Sequence, residues 1–203
     1  PIIAQFTRSH NPDIWCADTA IEVKSLVRQD FPLGYYGAHR PFHDDEKHQP
    51  HWTDGAGRQV PAPFRSAANK RRIRAFPARG ARRFATLNHY ALRSLDSFLV
   101  KNDRGDVNRE HRAFDDTYWR DRNDAAWEDR TIQRYLPALR AEMDRLKALP
   151  GIAELHANAV AAHRARRDAL LADPAYRAMQ AQLREASPYS AAEAQVRAEI
   201  GLK

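Results

Sequence analysis

The chain has 203 residues, 43% hydrophobic and 29% charged, with a formal net charge of +7 at pH 7. A single cysteine, Cys16, excludes an intramolecular disulfide and fits a reducing compartment. No apolar run reaches the roughly 18 residues of a membrane-spanning helix, and no signal peptide is visible. The composition therefore predicts a soluble cytoplasmic protein, with peripheral attachment to the inner membrane left open.

The first part of the chain combines short apolar runs with turn signals. Residues 20–28 alternate and are rich in β-branched side chains, which predicts a strand. The prolines and glycines of residues 31–42 predict a turn that leads to a short extended piece. Asp54-Gly55 predicts a turn or hairpin, and the β-forming side chains of residues 84–93 predict a second strand.

The second part, from about residue 121, has apolar side chains at helical spacing. Residues 123–200 are predicted to be mostly helical, with a break near Pro137 or at Pro150-Gly151. Pro174 is expected in the first turn of a further helix. The fold class is therefore predicted as α+β, with a mixed α/β domain over 1–120 and a helical extension over 121–203.

A basic strip covers residues 65–83, which carry eight Lys or Arg and no acid. Such a strip can pair with phosphates, but only Phe76 interrupts it, so it lacks an aromatic platform for stacking bases. A solvated loop explains the same residues. The strip supports one alternative function, a non-enzymatic module that binds polyanions or nucleic acid.

A histidine-rich loop contains metal-ligand side chains at close spacing. His39, His43, His48 and His51 are mixed with Asp44-Asp45. Imidazole and carboxylate are ligands of zinc and related cations. The spacing matches no metal motif, however, so a solvated loop is the preferred interpretation.

The segment LNHYALRSLDSFLVKNDRGD, residues 87–106, places a histidine, a capped helix and two cations in sequence. The imidazole of His89 can bind a divalent cation, and the helix that begins at Ser94 favours an anion at its first amides. Lys101 and Arg104 follow before the glycine Gly105, which is a good helix stop. These side chains are suited to a metal-bound diphosphate. A buried histidine and a solvated Lys-Arg pair explain them equally well.

The same segment resembles the C-terminal signature of a bacterial family 2-like glycosyltransferase group. Those proteins show an Asn-His-Tyr strand, a Ser-led helix with an aromatic residue, and then Lys and Arg-Gly. Three further stretches are similar: EVKSLVRQDFPLGYYGAHRPF, HWTDGAGRQV and WEDRTIQRYLPAL. The resemblance covers residues 1–140 and leaves the remaining helical tail uncovered.

The resemblance implies a GT-A type fold, here partial, that binds a nucleotide-sugar through Mn or Mg held by an Asp-x-Asp motif. A carboxylate would deprotonate the acceptor, a glycan or polysaccharide, and the metal would stabilise the leaving diphosphate. It implies a metal-ligand role for His89. The implied contacts to phosphate or acceptor are Tyr90, Ser94, Lys101 and Arg104.

The family's N-terminal half, with its nucleotide-binding strands and Asp-x-Asp acids, has no counterpart in the sequence. Asp44-Asp45 lies after the place of that motif and lacks the flanking hydrophobic strand, so it is no substitute. The chain is therefore expected to be the C-terminal portion of a glycosyltransferase, separated by truncation or by a split gene. It is expected to be inactive without the missing half, and no catalytic base is assigned.

Overall fold

The computed structural model describes residues 2–11, 23–37, 39–42, 50–62, 80–106 and 114–202. The described residues combine helices with short antiparallel strand pairs, so the protein is α+β as predicted. In chain order, the elements are α1 (Ile2–Gln5), β1 (Arg8–Ser9), β2 (Tyr35–Tyr36), β3 (Pro41–Phe42), α2 (Leu95–Arg104), α3 (Asp116–Arg120), β4 (Trp127–Glu128), a 3-10 helix (Thr131–Tyr135), α4 (Leu136–Lys147), α5 (Ile152–Ala172), α6 (Pro174–Glu185) and α7 (Ala191–Glu199).

The chain divides into two compact units. The first unit consists of Pro1–His10 and Tyr90–Lys203, and the second consists of Asn11–His89. The boundary predicted between residues 120 and 121 falls inside the first unit. The compositional change near residue 120 therefore does not coincide with this division of the structure.

The core of the first unit is built around α2. Phe98 of this helix is fully buried, and the ring of Trp119 in α3 meets it edge-on with a centroid separation of 5.0 Å. Leu183 of α6 belongs to the same buried cluster. This core explains why the first unit extends across residue 120, since it needs apolar side chains from both sides of that position.

The ends of α2 are set by local chemistry, as predicted. The Ser94 hydroxyl accepts a hydrogen bond from the amide of Ser97 at 3.2 Å, which satisfies one of the free amides of the first turn. Gly105 ends the helix at φ 78°, a left-handed conformation that glycine adopts without a steric penalty.

The breaks predicted in the helical region are confirmed. The 3-10 helix ends at Tyr135 and α4 begins at Leu136, which places Pro137 in the first turn of α4, where its missing N–H costs little. The second break is at Gly151, with φ 76°. The region also contains the two-residue strand β4, in which Trp127 pairs with Ser9 of β1.

The second unit contains the two predicted turns. Tyr35 pairs with Phe42 in the β2–β3 hairpin, and Thr53 bridges to Gln59 around the turn that Asp54 begins. The carboxylate of Asp54 accepts the amides of Ala56 and Arg58, at 2.8 and 3.0 Å. Burial alone would raise the pKa of Asp54, but these amides and the Arg58 guanidinium together lower it.

Both strand predictions in this part of the chain are wrong for the described residues. Residues 23–28 and 84–93 have no regular secondary structure, while residues 20–22 lie outside the described part. The amides of Phe84 and Ala85 both donate to one carbonyl, that of Gly55, instead of forming a ladder. Side chains with β propensity form a strand only when a neighbouring strand pairs with them.

Candidate functional site

The candidate segment 87–106 crosses the division between the two units, which falls between His89 and Tyr90. His89 is exposed on the irregular segment of the second unit. The prediction that places His89 within a strand over residues 84–93 is therefore wrong. The other four predicted site residues belong to the first unit.

Tyr90 is the first residue of the candidate segment that belongs to the first unit, and it is half-buried. Its ring lies 6.3 Å from the ring of Phe6, measured between centroids, with an interplanar angle of 53°. Phe6 follows α1, so this contact joins the N-terminal residues to the candidate segment. The aromatic surface of Tyr90 thus contributes to packing within the first unit.

The entry to α2 is strained at Arg93. Arg93 has φ 61° and is the only non-glycine residue with positive φ in the part of the chain that the structure describes. Left-handed backbone costs a non-glycine residue roughly 1–2 kcal/mol. The left-handed backbone of Arg93 turns the chain immediately before Ser94. The Ser94 hydroxyl caps the helix and also donates to the Ser97 hydroxyl at 3.0 Å.

Lys101 is half-buried between two aromatic rings. Its ammonium lies 4.3 Å from the ring centroid of Phe114 and 4.4 Å from that of Tyr118. It donates to the Tyr118 hydroxyl at 2.8 Å and to the carbonyl of Ala91 at 3.2 Å. An ammonium has three hydrogens, so two of them are engaged inside the first unit. Lys101 therefore ties α2 to the residues that precede it and to α3.

A second cation, that of Arg122, also lies over the Tyr118 ring. The guanidinium carbon of Arg122 lies 3.8 Å from the centroid of this ring. Cations over an aromatic face are attracted by its negative quadrupole, which stabilises the ring position. The sequence contains Tyr118 and Arg122 at helical spacing, but only the fold places Lys101 beside them.

Arg104 is exposed at the C-terminal end of α2 and forms no ion pair with any other described residue. Since α2 has ten residues, its length is about 15 Å, and Ser94 and Arg104 lie at its opposite ends. A single diphosphate is too short to contact both residues. The structure therefore separates two side chains that the sequence interpretation had grouped together.

The acids of α2 have a role that the sequence interpretation missed. Arg166 of α5 donates to both carboxylate oxygens of Asp103, at 2.8 and 2.6 Å, and Arg167 contacts Asp96 at 3.1 Å. The hydrogen bond to Asp103 raises the pKa of Arg166. Asp96 and Asp103 are seven residues apart, which is about two helical turns. This spacing, visible in the sequence, predicts that they lie on the same face of α2.

The described residues offer few ligands for the Mn or Mg ion that the resemblance implies. No three His, Cys, Asp or Glu side chains come together there as a metal site requires. His39 has its Nδ1 atom 3.0 Å from the carbonyl of Val23, and His43, Asp44-Asp45 and His48 lie outside the described residues. The described residues by themselves do not fit Mn or Mg, which prefer carboxylate oxygens.

Most of the basic strip also lies outside the described part of the chain, which resumes at Gly80. At the end of the strip, the guanidinium carbon of Arg83 lies 5.1 Å from the ring centroid of Phe84. Phe84 is strongly exposed, at 72%. Within the described end of the strip, this pair is a single cation–aromatic contact and forms no stacking platform.

Comparison with known proteins identifies no relative of this chain. No family model, curated protein or solved structure matches the chain. None of the described helices combines the length and the apolar character that crossing a membrane requires. The glycosyltransferase resemblance therefore stays a prediction from the sequence.

Proposed function

We propose that this chain is the C-terminal portion of a bacterial GT-A type glycosyltransferase. In the complete enzyme, a sugar passes from a nucleotide-sugar to a glycan or polysaccharide acceptor. The observation that carries the proposal is the way the candidate segment divides its side chains. Leu92, Phe98 and Leu99 are buried, whereas His89 and Arg104 are exposed. Arg104 is accessible to a ligand at the end of α2, while the buried side chains hold that helix in place.

The second unit supports the proposal through its exposed apolar side chains. Among its described residues, the buried hydrophobic side chains are Val60 and Ala81. The large hydrophobic side chains that it exposes are Leu26, Val27, Tyr35, Tyr36, Phe84 and Leu87. Exposed apolar side chains mark an interaction site where they form one patch. The donor-binding half is the partner that would cover this surface.

The residues of the candidate segment take different roles in this proposal. Arg104, exposed and without an ion-pair partner among the described residues, contacts phosphate or acceptor. Lys101 positions α2 through Ala91 and Tyr118, and Ser94 holds the start of that helix. His89 would supply one ligand to Mn or Mg, and the carboxylate ligands, which the described residues do not provide, would come from the missing half. When bound, the metal stabilises the negative charge of the leaving diphosphate.

The first experiment reads the coding DNA immediately upstream of the Pro1 codon. In-frame hydrophobic strands followed by an Asp-x-Asp motif are the expected result. An unrelated upstream sequence with its own ribosome-binding site contradicts a continuous enzyme. The donor half can then be expressed in one chain with residues 1–203 and assayed with Mn and a panel of nucleotide-sugars.

The second experiment compares Arg104→Ala with Arg140→Ala in that complete enzyme. Arg140 is an exposed arginine of α4 and serves as the matched control. We expect Arg104→Ala to lower turnover with an unchanged melting temperature, and Arg140→Ala to leave both unchanged. Equal turnover of the two variants would show that Arg104 does not contact the substrates.

A further inference from the structure

The last helix, α7, is attached to the loop that follows α3. The amide of Ala125 in this loop donates to the carbonyl of Pro188 at 2.7 Å. The Ser190 hydroxyl, at the start of α7, donates to a carboxylate oxygen of Asp124 at 2.9 Å. These bonds define an interface between the loop and the beginning of α7.

Glu193 is buried at this interface. It lies in the first turn of α7 and is only 2% exposed, and its amide donates to the Ser190 hydroxyl at 3.2 Å. Its Oε2 atom is buried and has no hydrogen-bond donor among the residues that the structure describes. An ionised carboxylate without a donor is costly to bury, whereas the protonated acid is tolerated much better.

Two charged groups act on Glu193 with opposite effects. Asp124 faces it from the loop, and Arg197 is one turn later on α7, with its guanidinium carbon 4.2 Å from the ring centroid of Tyr189. Burial raises the pKa of Glu193, Asp124 raises it further, and Arg197 partly opposes both. Arg8 of β1 also lies near the loop, and its Nε donates to the carbonyl of Ala125 at 2.7 Å.

We propose that Glu193 makes the docking of α7 dependent on pH. The helix is held on the loop while the Glu193 carboxyl is protonated, and it loosens when that carboxyl ionises. Because the native state binds this proton more tightly than the released state, docking is strongest below the ordinary glutamate pKa of 4.5. The contribution is lost as the pH rises through the raised native value.

The test is hydrogen exchange of the Ala191–Glu199 amides, followed by mass spectrometry between acidic and mildly alkaline pH. Exchange rates are corrected for the intrinsic dependence of amide exchange on pH. In the unmodified chain, we expect the protection of these amides to fall as the pH rises. In Glu193→Gln, which cannot ionise, protection should be higher at the upper pH and should stay constant.

Two further variants complete the test. Glu199→Gln removes an exposed acid from the same helix and should keep the pH dependence of the unmodified chain. Asp124→Asn keeps an acceptor for Ser190 but removes the repulsion, so it should weaken the dependence. Equal pH dependence in the unmodified chain and in Glu193→Gln would overturn the proposal, as would its loss in Glu199→Gln.

Discussion

Arg166 of α5 holds Asp103 of α2 through two hydrogen bonds of 2.8 and 2.6 Å, one to each carboxylate oxygen. The two residues are 63 positions apart in the sequence. One belongs to the candidate segment and the other to the helical tail. The tail is therefore joined to the segment by a specific charged contact as well as by apolar packing.

Removing this pair should destabilise the first unit slightly. We expect Arg166→Ala to lower the melting temperature at low ionic strength, and the loss to shrink as salt is added, because salt screens a pair near the surface. Arg164→Ala, an exposed arginine of the same helix, is the control and should have no such salt-dependent effect. An effect that is equal at all salt concentrations would argue against an electrostatic role.

Truncation of the core should cost much more than truncation at the surface. Phe98 is fully buried, so we expect Phe98→Ala to lower the free energy of unfolding by about 3–5 kcal/mol. Phe84→Ala, at an exposed phenylalanine, should change it by no more than about 0.5 kcal/mol. Urea denaturation measures both. Similar costs at the two positions would mean that α2 does not carry the core of the first unit.

The position of Lys101 predicts a structural role. Lys101→Met keeps most of the aliphatic side chain but leaves the Tyr118 hydroxyl and the Ala91 carbonyl without their donor. We expect a loss of about 1–3 kcal/mol in the free energy of unfolding. Lys147→Met, at an exposed lysine of α4, is the control. If Lys101→Met lowers turnover of the complete enzyme while its stability is unchanged, Lys101 contacts substrate instead.

Because His89 is exposed, we expect its substitution to affect activity rather than stability. If the chain is completed to the proposed glycosyltransferase, His89→Ala should lower activity and raise the Mn concentration needed for half-maximal turnover, with little change in melting temperature. His156→Ala, at an exposed histidine of α5, is the control. A fall in melting temperature with an unchanged Mn requirement would identify His89 as a structural residue.

The basic strip should bind phosphate-rich polymers weakly and without sequence preference. Because such binding comes from counterion release, its affinity should fall steeply as salt increases. Filter binding with DNA of several sequences, at two or more salt concentrations, measures both properties. A sequence-selective complex that survives high salt would favour the nucleic-acid function over the transferase.

The features that the sequence predicts correctly are those that depend on neighbouring residues. Ser94 and Gly105 mark the ends of α2 because the capping hydroxyl and the left-handed glycine act within one helical turn. Pro137 marks a helix start for the same reason, since the proline ring restricts only its immediate surroundings. These signals act within one helical turn, so they can be recognised without knowing the rest of the fold.

The strands and the candidate site depend on distant residues. Residues 84–93 have suitable side chains for a strand, but no described strand pairs with them, and pairing partners cannot be read from one segment. Lys101 reads as a free cation in the sequence, yet the fold encloses it between Phe114 and Tyr118. Residue types and local caps follow from the sequence alone. Which cations reach solvent, and which acids are buried, was decided by tertiary packing, because burial depends on contacts between residues far apart in the chain.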